Sequence, residues 1–295
     1  AVGSGVTSLK PGTRVYANPG RSCGSCAACR AMDPIGCDSY VFQGYFGFTA
    51  RAQETYDRYP WGGLCEYMAV PASAVVVLPD NVTCQQASRL GYTGTGYSAL
   101  RKGGAGPGVT TMITGASGTL GLGTVLCALG MGVTRILAVA RNRELLEEVR
   151  ALAPQRIETH SLLDGPAGAW ALERTGGIGV DLVVNCLGPG APPDQMLDEI
   201  SALRRCGRLV NTGAVAAPVA VNVHTMMDNN QSLIGSAWFN TREGQEMAEM
   251  IRSGTLDIGV FRQESYPLDR VNEVLAGIEN RHGGFSNFTI VPTPE

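Results

Sequence analysis

Three histidines are all that this 295-residue sequence offers. His160, His224 and His282 stand far apart, with no second ligand at useful spacing. Each reads as a surface or core residue rather than as a catalyst. Surplus positive charge is also missing. Lys and Arg number 23 against 26 Asp and Glu, a net charge of -3, which argues against nucleic acid or an anionic membrane as partner. No apolar run approaches the roughly 20 residues of a membrane helix, and the first residues lack a charged-then-apolar leader pattern. The expected compartment is the cytoplasm. No internal repeat is visible. Charged residues make up 17% and the mean hydropathy is +0.03, ordinary for a globular protein long enough for two domains.

Glycine and cysteine are abundant, and both are distributed with meaning. The 39 glycines punctuate the chain between short apolar runs. Residues 11–80 carry strand-like pieces (Thr13–Ala17, Cys65–Val70, Ala74–Leu78) broken by Gly- and Pro-rich loops, a β-rich texture without a convincing amphipathic helix. From about residue 95 strands and helices alternate. Strands are expected at Thr111–Thr114, Arg135–Ala140, Val180–Asn185, Arg208–Asn211 and Ser232–Gly235. Helices are expected at Thr119–Leu129, Glu144–Leu152 and Asp194–Leu203. Continuous apolar strands alternating with helices imply a parallel sheet covered on both faces. Two more helices (Gly244–Arg252, Leu268–Glu279) and a last strand, Asn287–Val291, follow.

The segment from Met112 to Gly123, MITGASGTLGLG, places Gly115, Gly118 and Gly121 at a strand-to-helix junction. Glycine there permits a tight turn, close approach of backbone to a pyrophosphate, and close packing of helix on strand. The free N–H groups and dipole of the helix N-terminus favour an anion. A bare glycine pattern is weak, and Ala116 departs from the strict fingerprint, but strand, turn, helix and second strand stand in the order a dinucleotide site requires. The alternative is a plain tight turn. The second strand ends in Ala138-Val139-Ala140-Arg141-Asn142-Arg143. An NAD-specific site places Asp or Glu there, on the ribose hydroxyls. Ala140 removes that carboxylate, and Arg141 with Arg143 supplies guanidinium groups suited to a 2′-phosphate, which favours NADP. The bland alternative is a pair of solvated arginines at a helix start.

Four of the nine cysteines crowd into CGSCAACRAMDPIGC with the spacing Cys-x2-Cys-x2-Cys-x7-Cys. Cys23, Cys26, Cys29 and Cys37 can close a tetrahedral zinc shell from one loop, and a shell of four protein ligands leaves no open position, so the zinc is structural. An odd total with one tight cluster does not suit a disulfide framework. Cys65, Cys84, Cys127, Cys186 and Cys206 read as small buried hydrophobes.

These two motifs, in this order, carry a resemblance. With GVTSLKPGTRV, WGGLCEYMAVPASAVVVLPD, TGTGYSAL and PLDRVNEVLAGI they make the chain similar to the zinc-containing alcohol dehydrogenases of the medium-chain dehydrogenase/reductase superfamily, from Ala1 nearly to the end. The resemblance implies an α/β fold: a Rossmann doubly wound parallel sheet plus a β-rich GroES-like domain. The implied division is 1–94 GroES-like with the zinc loop, 95–240 Rossmann, and 241–295 returning to the first domain. It implies Gly118, Thr119, Leu120 and Gly121 at the pyrophosphate, and Arg141 with Asn142 at the adenosine end. Asn185 and Cys186, and Gly213 and Ala214, fall on loops near the nicotinamide. Thr95 matches a threonine that packs on that ring, with a helix N-cap as the plain alternative.

Two departures bear on the chemistry. The family's catalytic zinc takes a cysteine and a histidine from segments expected upstream of Ala1, so the chain reads as lacking that N-terminal segment. The third ligand falls at Gly91 or Tyr92, neither of which suits zinc, so no catalytic residue is assigned. The expected function is an NADP(H)-dependent oxidoreductase acting on a carbonyl or alcohol. A zinc-independent enoyl or quinone reductase, or a redox-inactive relative that keeps the cofactor site, stand as alternatives. Trp61, Tyr92, Met226, Met227, Trp238 and Phe239 could line a substrate cleft, or equally a core or interface. A small-molecule substrate and a homodimer or homotetramer, with the strand near Ser232 at the subunit edge, complete the expectation.

Overall fold

A computed structural model describes residues 1–292. The first part of the chain is built from short strands: β1 (Val15–Ala17), β2 (Gly20–Arg21), β3 (Val41–Phe42), β4 (Phe46–Gly47) and β5 (Val75–Val77). β1 pairs antiparallel with β5, while β2, β3 and β4 form a second antiparallel sheet. Two one-turn helices, α1 (Ala27–Arg30) and α2 (Gln53–Tyr56), lie in the loops between. The strand expected over Cys65–Val70 does not form. There a side chain replaces a neighbouring strand: Gln43 Nε2 donates to the carbonyls of Trp61 at 2.8 Å and Ala69 at 2.9 Å.

Helix α3 (Cys84–Ala87) opens on a capping box, Thr83 accepting from the Gln86 amide while Gln86 accepts from the Thr83 amide. Helix α4 (Leu90–Gly103) follows and ends on the left-handed Gly104. It starts earlier than the TGTG sequence suggests. Thr93 and Thr95 are therefore internal, donating their hydroxyls one turn back to the carbonyls of Arg89 and Gly91. Thr95 is thus not an N-cap. The glycines are tolerated because this helix is packed at contact distance: a Cβ at Gly94 would stand 2.4 Å from the Phe239 ring, and one at Gly96 2.3 Å from Thr124.

Then come β6 (Thr110–Thr114), α5 (Thr119–Gly130), β7 (Arg135–Ala140), α6 (Arg143–Ala151), β8 (Ile157–Ser161), α7 (Ala167–Arg174), β9 (Val180–Asn185), α8 (Pro193–Ser201), β10 (Leu203–Asn211), α9 (Val223–Asp228) and β11 (Ser232–Gly235). The six strands form one parallel sheet in the order β11-β10-β9-β6-β7-β8. Met112, Ile113, Leu137, Val139, Val183, Val184 and Leu209 are fully buried, as strands covered on both faces require. Neighbours β6 and β9 are far apart in the chain, so the connections leave their carboxyl ends in opposite directions and open a crevice there. After α10 (Thr241–Arg252) a parallel pair, β12 (Arg262–Pro267) with β13 (Ser286–Val291), brackets α11 (Val271–Gly277). The sequence reading missed β12, because RQESYP is polar, largely exposed and shows no alternation.

Candidate functional site

The crevice between the carboxyl ends of β6 and β9 is a cleft of about 910 Å³. Its floor is the glycine turn. Gly115 has φ +69°, and a Cβ there would lie 2.6 Å from the Cys186 carbonyl oxygen. A Cβ at Gly121 would lie 2.0 Å from the Gly115 carbonyl oxygen, so the first turn of α5 rests directly on the end of the strand. Gly118 occupies the N-cap and supplies no side chain to the free N–H groups of Thr119, Leu120 and Gly121. The Thr119 hydroxyl is buried without a partner. Unsatisfied donors above a glycine floor fit a pyrophosphate.

The adenosine end separates the two arginines that the sequence grouped together. Ala140, only 4% exposed, closes the end of β7 with no carboxylate, and Arg141 lines the cleft. Arg143 does not. It is held by Asp164 through Nη2 at 2.5 Å and Nε at 3.5 Å, which raises its pKa and lowers that of Asp164. The Asn142 side chain is committed to capping α6, accepting from the Leu145 amide at 3.0 Å.

Cys186 lies on the opposite wall, its thiol pushed up to about 11 by burial, a rise that contacts with the Thr124 and Thr212 hydroxyls partly oppose. Asn185 lies beneath it, fully buried, and accepts from the Leu187 amide at 3.2 Å. The loop after β10 leans on the same wall: Ala214 donates to the Leu187 carbonyl at 2.9 Å, and a Cβ on Gly213 would meet Asn185 Oδ1 at 2.3 Å. Of the predicted positions, Gly118, Arg141, Asn142 and Cys186 line the cleft itself. Thr95 is buried within α4 and is not among the lining residues. Sequence reasoning missed the wall made by Gly190, Ala191, Pro192, Asp194 and Gln195, although Pro192-Pro193 ahead of a helical pattern was a usable start signal.

The thiols of Cys23, Cys26, Cys29 and Cys37 all lie within 4.8 Å of one another, with Cys26 and Cys29 at 3.5 Å and Cys23 and Cys29 at 4.0 Å. A tetrahedron of sulfurs each about 2.3 Å from zinc has edges of about 3.8 Å, so the set fits zinc. Backbone N–H groups of Ser25 and Cys26 point at Cys23 Sγ and lower its thiol to about 6, while burial pushes Cys37 up to about 12. Such N–H···S contacts stabilise bound thiolates. Among the described residues this is the single cluster of three or more potential metal ligands.

Position 91 does not fit a metal. Gly91 offers no donor, and a Cβ there would meet Trp238 and Tyr16 at 3.3 Å. Trp238 is fixed by its indole N–H to Asn18 Oδ1 at 2.9 Å and by edge-on contact with Phe42, ring centroids 4.7 Å apart. Tyr92 points outward, 53% exposed.

Comparison with known proteins agrees with this geometry. The family described as alcohol dehydrogenase GroES-like domain matches residues 1–80, and that described as zinc-binding dehydrogenase matches residues 119–253. A Bacillus subtilis protein named a probable formaldehyde dehydrogenase is 31% identical over 251 residues, covering 84% of this chain and 67% of the relative. The chain belongs to the zinc-containing, alcohol dehydrogenase-like branch of the medium-chain dehydrogenase/reductase superfamily. An alcohol dehydrogenase of Geobacillus stearothermophilus is 29% identical over 279 residues, 92% of this chain and 74% of that one. The solved alcohol dehydrogenase of Thermus sp. ATN1 superposes with a TM-score of 0.82 at 21% identity, over 99% of this chain and 81% of its own. Hydride-transfer oxidoreductases are thus the class in which this member of the superfamily falls. No helix among the described residues is long and apolar enough to cross a membrane.

Proposed function

We propose that the chain is an NADP(H)-dependent oxidoreductase acting on a small carbonyl or alcohol substrate, with a structural zinc in the four-cysteine loop. The observation that carries the reading is the adenosine end of the cleft, where Ala140 stands in place of an acid and Arg141 faces the ligand space. When bound, the dinucleotide supplies hydride chemistry at its nicotinamide. The N–H groups of Thr119, Leu120 and Gly121 hold the pyrophosphate. Arg141 pairs with the 2′-phosphate. Cys186, Leu187, Gly213 and Ala214 wall off water from the far end, and Asn185 ties their two loops together. Gly91 supplies no ligand for a second metal.

A charge-assisted bond to phosphate is commonly worth about 1.5–3 kcal/mol, so NADPH should bind roughly tenfold to a hundredfold more tightly than NADH. Arg141→Ala should abolish most of that preference. Fluorescence titration of both reduced cofactors decides it, and equal affinities in the parent protein would refute the assignment. Because Arg143 is held by Asp164, Arg143→Ala should leave the preference nearly unchanged.

Gly91 backed by Trp238 favours a second reading, reduction of an activated C=C bond without a catalytic metal. NADPH turnover on a panel of aldehydes and enones separates the two, with enones preferred under the second reading. The edge position of β11, with Leu233 43% exposed, supports assembly through that strand. Light scattering should show a dimer or tetramer, and Leu233→Lys should shift it towards monomer. A monomeric parent protein would count against this.

A further inference from the structure

The parallel sheet hides one carboxyl that the cofactor reading does not use. Glu199, on α8, is completely buried, and its Oε2 accepts from Asn185 Nδ2 at 2.6 Å. Its Oε1 has no partner; neither does the Thr114 hydroxyl that lies against the carboxyl, nor Gln195 Nε2 one helical turn away. Asn185 is the joint between both loops of the far wall. Its side-chain oxygen accepts from the Leu187 amide, and its carbonyl accepts from the Thr212 amide at 3.0 Å and hydroxyl at 2.7 Å. The carboxyl is therefore joined to both loops of the far wall through Asn185.

No cation balances Glu199 among the described residues. On its own helix Asp198 adds negative charge while accepting from the Gly168 amide, and at the end of β9 the Cys186 thiol faces it. The arginines of the packed elements are engaged elsewhere: Arg204 with Asp181, Arg205 with the Asp228 carbonyl, Arg208 with the Gly103 carbonyl, and Arg174 of α7 with Glu158. Glu173 of α7 adds no positive charge. An uncompensated buried carboxylate is costly, and the group avoids the cost by holding its proton.

We propose that Glu199 is a positioning residue that acts as a neutral acid beneath the cleft, so that binding of the anionic dinucleotide is coupled to uptake of a proton at Glu199. The proposal rests on the reading of the cleft as a dinucleotide site. The proton sits on Oε1, the oxygen left without a partner, while Oε2 goes on accepting from Asn185. The phosphates of the ligand, arriving at Gly118 and beside Gln195, add negative charge and favour the protonated form further. Burial, opposed by the Asn185 bond and the nearby Thr114 hydroxyl and helped by the charge of Asp198, already raises this carboxyl to about 7. A raised acid pKa places the favourable form at low pH: its contribution to stability is complete below the ordinary value of 4.5 and is lost as pH rises from there through about 7.

The test is NADPH affinity between pH 6.5 and 8.5, with calorimetry in two buffers of different ionisation enthalpy to count protons. In the parent protein affinity should fall about fivefold to tenfold over this range, with net proton uptake near pH 7.5. Glu199→Gln mimics the neutral acid, with one acceptor and one donor. It should bind tightly with a flattened profile and lose the proton uptake. Thermal denaturation without cofactor should show the stability advantage of Glu199→Gln over the parent growing from near nothing below pH 4.5 to a plateau above about pH 7. A parent slope that survives unchanged in Glu199→Gln, or no proton uptake in the parent, would overturn the proposal. Absence of dinucleotide binding at every pH would overturn the underlying reading instead. The denaturation series, which needs no cofactor, tells the two failures apart.

Discussion

Gly121→Val should lower dinucleotide affinity by more than about a hundredfold. The clash is with backbone: the Gly115 carbonyl oxygen at 2.0 Å and the Ala116 Cα at 2.7 Å from a Cβ at this position. Neither atom can rotate away, so α5 must lift from the end of β6, and its first-turn N–H groups move from where a pyrophosphate would meet them. Overpacking of this kind costs about 1–3 kcal/mol in stability, tolerable for a domain with this buried sheet. Gly118→Ala offers a graded comparison. Gly118 has φ −84°, ordinary for any residue, and a Cβ there would be 3.2 Å from the Gly115 oxygen. It should bind several-fold more weakly than the parent and remain fully folded. Fluorescence titration with NADPH, together with far-UV circular dichroism, reads both. Parent-like affinity in Gly121→Val would mean that the pyrophosphate does not lie on this turn.

The second large effect is expected at the zinc loop. Protein purified without added metal should contain one zinc per chain, and Cys29→Ser should lose it. Structural zinc contributes on the order of 10 kcal/mol of apparent binding free energy in small domains, so even a fraction lost exceeds the roughly 1 kcal/mol of an average substitution. The loop 23–37 carries only α1 and a 3-10 turn at Pro34–Gly36, and Cys37 alone of the four ligands is buried. Little besides the metal holds it. Limited proteolysis should therefore cut Cys29→Ser within this loop while the parallel sheet stays intact. The effect on hydride chemistry should be smaller than the effect on stability, because a closed shell activates no water. Metal analysis showing no zinc, or mass spectrometry showing Cys23, Cys26, Cys29 and Cys37 joined as disulfides, would sink this assignment.

Some of the fold was legible residue by residue. Arg135–Ala140, Val180–Asn185 and Ser232–Gly235 form strands at the bounds read from their apolar runs, and α5 begins at Thr119 as the glycine turn implied. Short-range rules suffice there, because a buried parallel strand is marked by its own composition. β12 was not legible, since a polar exposed strand is defined by its partner β13 rather than by its residues. The start of α4 was misplaced for a related reason. Thr95 is internal to the helix, and the glycines on either side of it are required by contacts with Phe239 and Thr124, both distant in the chain.

The sequence by itself determined the family, the layered α/β architecture, the glycine turn and the thiol cluster. The turn and the cluster are written in spacing within segments of fewer than about twenty residues, the layers in the alternation of apolar strands with helices, and the family in the resemblance that these motifs carry together. Only the tertiary structure decided which neighbours act together. It put Arg141 on the cleft and tied Arg143 to Asp164, 21 residues away. It set Trp238 against Gly91, and it buried Glu199 under Asn185. Those pairings depend on strand order and on how helices lie across the sheet, and long-range packing of that kind leaves no periodic mark in the residues that meet.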